Sequence, residues 1–123
     1  MDGYSTVANI MKALGHPVRL QILEVLRQEE ACVCHLEAVL GQRQAYISQH
    51  LMKLRDAGLV IDRREGLNVF YSLSGEGVGM LMDTARNTAG ILSPEPLSYA
   101  LPAVPGSARC SCPKCAPETV AEP

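Results

Sequence analysis

A mainly α-helical domain carrying one β-hairpin is the fold class this sequence predicts, on three observations. In Gln42–Gly58, Ile47, Leu51 and Leu54 recur at i, i+4 and i+7, the period of a helix buried along one stripe. Directly after Gly58 the period changes to two. Leu59, Ile61, Leu67, Val69, Tyr71 and Leu73 alternate with charged and polar residues around a Glu65-Gly66 turn. The chain has 123 residues, enough for one domain with a thin core that burial in a dimer would help.

A helix running at once into a hairpin with Arg63 and Arg64 near its tip is the layout of a winged helix-turn-helix. Opposite the apolar stripe the helix carries Ala45, Gln49, Met52 and Lys53, with Ser48 on the flank and Gln44 in its first turn. These side chains are mostly short or polar and suit a major groove, while the hairpin arginines suit phosphate. The expected contacts to double-stranded DNA are therefore Gln44, Ala45, Ser48, Gln49, Lys53, Arg63 and Arg64. His50 and Tyr46 lie beside the stripe and read as packing residues.

The remaining elements follow in order. Val7, Ile10, Met11 and Leu14 give a first helix over Tyr4–Leu14, broken by Gly15-His16-Pro17. Pro17 opens a second helix to about Arg27, with Val18, Ile22, Val25 and Leu26 inward. His16 and Arg19 at the junction read as capping and surface pairing. Leu36, Val39 and Leu40 make a short third helix ended by Gly41, which positions the groove helix behind it. After the hairpin, Ser74 can cap a last helix bearing Val78, Leu81, Met82, Ala85, Ala89 and Leu92. Its stripe is expected to meet the first helix and their two-fold mates in a homodimer. Seven of the eight prolines lie beyond Ser93, so 1–92 reads as the DNA-binding and dimerisation domain. Residues 93–123 then read as an extended, Cys-containing arm.

Net charge is −2, which argues against a nonspecific nucleic-acid coat. Between Gly41 and Ser74, however, five basic residues face three acidic ones, a modest positive footprint on an acidic chain. No apolar run is long enough to span a membrane and no signal pattern opens the chain, so a soluble cytoplasmic protein is expected. In that reducing compartment cysteines are ligands or sensors rather than staples.

The stretch Ser48-x-His50-Leu51-x-x-Leu54-Arg55-x-Ala57-Gly58-Leu59-Val60 resembles the signature of the ArsR/SmtB family of arsenic- and metal-responsive bacterial repressors. So does Leu14-Gly15-His16-Pro17-x-Arg19-Leu20-x-Ile22-Leu23 upstream. The similarity covers about Tyr4 to Leu92 and implies a dimeric repressor released from operator DNA by an inducer ion.

Five cysteines fall in two groups, Cys32/Cys34 in the body and Cys110, Cys112 and Cys115 on the arm. A soft ion wants several converging thiolates, and CxCxxC on a slack arm can supply three. The body pair is harder to use. Residues two apart on a helix point about 200° from each other, so both reach one ion only if the helix begins irregularly. The resemblance implies a ligand role here, since arsenic, cadmium and lead sensors of the family carry CxC in a similar stretch. Its alternative His/carboxylate site on the last helix is absent, the three histidines being His16, His35 and His50. No cysteine precedes Cys32, so the arm is the expected substitute for an N-terminal one. The inducer expected is As(III) or Sb(III), or else Cd(II) or Pb(II), held by Cys32, Cys34, Cys110, Cys112 and Cys115, with no organic cofactor.

Rival readings are a redox or persulfide sensor of the same fold, and a thiol-rich metal-binding interaction module. No nucleophile, base and orienting group can be assembled from spacing, so an enzyme is not expected.

Overall fold

The structure is a computed structural model and describes residues 2–102. Helix α1 (Gly3–Leu14) starts on Asp2, whose carboxylate accepts from the N–H groups of Tyr4 and Ser5. Helix α2 (Pro17–Gln28) has proline in its first position, where the missing N–H costs nothing. His16 Nδ1 accepts from Val18 N–H at 3.1 Å and so caps α2.

The next stretch departs from expectation. Ala31–Cys32 is a short strand, β1, and helix α3 (Val33–Leu40) begins only after it. Cys32 is the extended residue at the helix start, at φ −87° and ψ 168°. Helix α3 ends at Gly41, which sits in the left-handed region (φ 65°). Helix α4 (Gln44–Asp56) follows, and Gly58 at φ 80° reverses the chain after it. There Leu59 N–H donates to Leu54 O (3.0 Å) and Gly58 N–H to Arg55 O (2.9 Å), closing the last turn.

Strands β2 (Val60–Glu65) and β3 (Asn68–Leu73) form the hairpin, with Gly66 at φ 62° in a two-residue loop. The sheet order is β1-β3-β2, all antiparallel. Register divides its residues between two faces. Val60 pairs with Leu73 and Asp62 with Tyr71, while Ala31 faces Tyr71 from β1. On this face Ala31 and Val60 are buried in the core, and Tyr71 and Leu73 pack against it. The expected phase is right for Tyr71 and Leu73 but wrong for Ile61, which falls on the other face and is 53% exposed. Leu67 occupies the loop and is 98% exposed, because the turn takes Gly66 and Leu67 together.

The core is aliphatic, as a chain with one Phe and no Trp requires. Its largest fully buried members, Ile22, Leu23, Leu36, Leu40, Ile47, Leu51, Leu54 and Val60, come from α2, α3, α4 and β2. Phe70 is not among them. It forms a separate cluster with Cys32, against which Cys34 packs.

Helix α5 (Glu76–Leu92) starts on Gly75 without a side-chain cap, so Ser74 does not cap it. Val78 and Met82 bury it in the core, while Arg27–Asp83 (2.6 Å) and Arg86–Glu24 (2.9 Å) tie it to α2. From Ser93 to Pro102 there is no helix or strand. Even so, Leu101 packs on the core and the Tyr99 ring lies 4.1 Å from the Arg86 guanidinium carbon.

Candidate nucleic-acid interface and thiol site

Burial sorts the α4 residues. Ile47, Leu51 and Leu54 are sealed in the core, and Gln44, Ala45, Gln49, Met52 and Lys53 stand exposed, with Ser48 half-buried. The sequence-predicted groove residues thus share the solvent side of one rigid helix.

His50 is a buried polar residue, 8% exposed. Its ring lies 4.3 Å from that of His16 and 4.6 Å, edge-on, from that of Tyr46. Burial, then the nearby His16, Arg19 and Lys53, hold the His50 pKa below the usual imidazole range. Neither His50 Nε2 nor the neighbouring cation's Arg19 Nε has a hydrogen-bond partner among the described residues. Packing, the sequence-based reading of His50, holds. The ring cluster joining α4 to the start of α2 is new, and spacing alone had no way to show it.

The two wing arginines differ. Arg63 is clasped: Glu30 takes it through Nε (3.0 Å to Oε2) and Nη2, Glu65 takes Nη1 at 2.7 Å, and its guanidinium lies 4.9 Å from the Phe70 ring centre. Those carboxylates push its already high pKa further up. Arg64 is exposed on the opposite face of the strand. Arg55 donates to Asp62 at 3.2 Å and braces the end of α4 against β2.

The irregular helix start that the cysteine pair requires is present. With Cys32 extended in β1 and Cys34 in the first turn of α3, their Sγ atoms converge to 2.8 Å. That is longer than a covalent S–S bond of about 2.05 Å. It is shorter than the roughly 3.8 Å between two thiolates on one tetrahedral ion at a Zn–S distance of about 2.3 Å. Cys32 is buried and Cys34 half-buried. Two sulfurs suit a soft ion chemically but do not complete a trigonal or tetrahedral shell, and among the described residues no group of three such ligands occurs. Cys110, Cys112 and Cys115 lie outside the described residues.

Helix α1 exposes Tyr4, Val7 and Met11, and α5 exposes Met80, Ile91 and Leu92. Between α2 and α5 a cavity of about 300 Å³ is lined by Leu20, Glu24, Met82 and Arg86 and roofed by Tyr99 and Leu101. No helix among the described residues is long and apolar enough to cross a membrane.

A helix-turn-helix whose second helix shows a polar face, followed by a three-stranded wing, defines a winged-helix DNA-binding protein. Comparison with known proteins narrows the class. Residues 16–62 match the family described as "Bacterial regulatory protein, arsR family". The chain is 43% identical over 77 residues to the biofilm growth-associated repressor of Agrobacterium fabrum, covering 63% of this chain and 66% of that one. It thus spans slightly less than two thirds of that relative's length. It is 36% identical to the nodulation protein NolR of Rhizobium meliloti, covering 73% of this chain and 77% of that protein. Among solved structures, the homodimeric winged helix-turn-helix DNA-binding domain Mb0332 of Mycobacterium bovis superposes with a TM-score of 0.67 at 36% identity. It covers 71% of this chain and 81% of that one. The chain belongs to the ArsR/SmtB family of winged-helix transcriptional regulators, proteins that bind DNA rather than catalyse reactions.

Proposed function

We propose that this chain is a homodimeric, cytoplasmic repressor of transcription that a soft thiophilic ion releases from its operator. Two copies of α4 enter successive major grooves about 34 Å apart on an inverted repeat. Gln44, Ala45, Ser48, Gln49 and Lys53 face the groove and Arg64 faces phosphate. The exposed apolar residues of α1 and α5 support a two-fold interface there, as does the homodimeric state of the M. bovis relative. The inducer is As(III) or Sb(III), or else Cd(II) or Pb(II), held by Cys32 and Cys34 together with Cys110, Cys112 and Cys115.

The observation that carries this reading is the convergence of the Cys32 and Cys34 sulfurs at the irregular start of α3. Two thiolates on the DNA-reading body couple the ion to DNA, and the arm completes the shell. By linkage, the ion then weakens DNA binding by the factor by which DNA weakens ion binding.

The test is a titration of reduced full-length protein on inverted-repeat DNA with As(III), Cd(II), Pb(II), Zn(II) and peroxide. Release by one of the thiophilic ions at concentrations where Zn(II) and peroxide do nothing is expected. Truncation after Leu101 should keep operator binding and nearly abolish the response. If the truncated protein responds at wild-type ion concentrations, the arm is not part of the sensor.

A redox reading of the same fold is favoured by one observation: the Cys32 and Cys34 sulfurs lie 2.8 Å apart. Two cysteine sulfurs this close are placed to form a disulfide when an oxidant such as peroxide takes up the two electrons. Release by peroxide but by none of the ions would select it.

A further inference from the structure

Cys32, Phe70 and Arg63 stand side by side on one face of the sheet. Cys32 pairs with Phe70 across β1 and β3, and Phe70 pairs with Arg63 across β3 and β2. Residues opposite one another in antiparallel strands project from the same face, so the three form one lateral row. The contacts agree with the register: Phe70 is buried with Cys32 and flanked by Cys34 on one side, and carries the Arg63 guanidinium at 4.9 Å on the other. Glu30 precedes β1 by one residue and grips the same guanidinium through two of its nitrogens. A Phe sandwiched in this way, outside the main core, links the sulfur pair directly to the wing.

We propose that Glu30 and Phe70 form a clasp on Arg63 that withholds one positive charge of the wing from DNA, and that the Cys32/Cys34 pair sets the state of this clasp. The first half rests only on the DNA-binding reading, the second also on the thiol reading. Arg63 has the reach of a phosphate-binding arginine, yet Glu30 and Glu65 already occupy the donors it would use. Glu30 and phosphate therefore compete for one cation. Cys32 and Cys34 must spread by about 1 Å, from 2.8 Å to roughly 3.8 Å, to share an ion. In a packed satellite cluster that movement presses Phe70 against the guanidinium it carries, so that phosphate opens the clasp less easily and the ion favours release from DNA. Phe70 and Glu30 are thus positioning residues, which touch neither operator nor inducer.

Two measurements on the reduced full chain test the halves separately. First, Glu30→Gln is compared with wild type on operator and on unrelated duplex DNA without any ion. The variant should bind both more tightly and show a steeper salt dependence. Each added phosphate contact makes its advantage shrink about 3.5-fold between 50 and 200 mM salt, from a slope of about −0.9 per contact. Adding Arg63→Gln should erase the gain. Unchanged affinity and slope in Glu30→Gln would overturn the clasp. Second, Cd(II) is titrated while thiolate-to-cadmium absorption and operator release are followed together. Phe70→Leu should keep the wild-type absorption endpoint but require at least tenfold more Cd(II) for release. Glu30→Gln, a change outside the hydrophobic core, should show the same split and replaces Phe70→Leu if that variant does not fold. Release at wild-type Cd(II) concentrations in the folded variants would overturn the coupling. Loss of the cadmium absorption in wild type itself would instead overturn the thiol reading, leaving the first result standing.

Discussion

Helix α4 and the wing are the two elements proposed to face DNA, and they are fastened to the body by different physics. Ile47, Leu51 and Leu54 each lie at 0–1% exposure, so α4 is part of the main core and cannot shift without opening it. The outer face of the wing is held by Phe70 against Cys32 and by ion pairs of a half-exposed arginine. Exposed ion pairs are individually weak and salt-sensitive. The exposed face of α4 is thus anchored in the core, whereas the Arg63 face of the wing is adjustable. A sensor that acts on the adjustable element needs far less free energy than one that must tilt a core helix.

The largest expected effect tests the rigid half. Leu54→Ala should cost about 2–5 kcal/mol of global stability, the range for emptying a fully buried leucine site. Val69→Ala on the half-buried wing should cost less than about 1.5 kcal/mol. Urea unfolding of both variants checks this, and similar losses would erase the contrast in anchoring.

A second pair sharpens the division of labour. Gln49→Ala should change base preference, losing about 1–3 kcal/mol of discrimination at one position, because a glutamine can read a base edge. Arg64→Ala should weaken binding to every duplex alike and reduce the salt slope by about 0.9 per protomer. Gel shifts on native and scrambled operators separate the two, and wild-type behaviour in both variants would remove α4 and the wing from the interface.

The smallest effect concerns the joint between α4 and α2. The pKa of His50 is lower in the folded protein than in the unfolded chain, first by burial and then by His16, Arg19 and Lys53. The unfolded chain therefore takes up the proton first on acidification. The stability this contributes is fully present above the ordinary imidazole value of about 6.5 and is lost as pH falls through the folded value. Between neutral pH and about pH 5, wild type should lose more stability than His50→Gln, measured by denaturant unfolding. Parallel losses would show that the buried ring does not govern the acid response.

Much of this was legible in residue patterns. The stripe Ile47, Leu51 and Leu54 dictated which side of α4 is sealed, because a 3.6-residue period leaves one choice of face. Gly41 and Gly58 marked their helix ends because only a residue without Cβ adopts the left-handed conformation cheaply. The family signature and the solvent-exposed polar side of α4 were equally plain in the order of residues. The hairpin phase was not. Alternation fixes which residues of a strand share a face, but strand pairing decides which face turns inward, and the turn placed Val60 rather than Ile61 opposite Leu73. Pairing with β3 also extended Ala31 and Cys32 into a strand, overriding a helical reading of that stretch. The row Cys32–Phe70–Arg63 joins residues 31 and 38 positions apart with no periodic trace between them. Only the sheet, by hydrogen-bonding three strands in one register, could set a sulfur pair and the arginine of the wing on either side of Phe70.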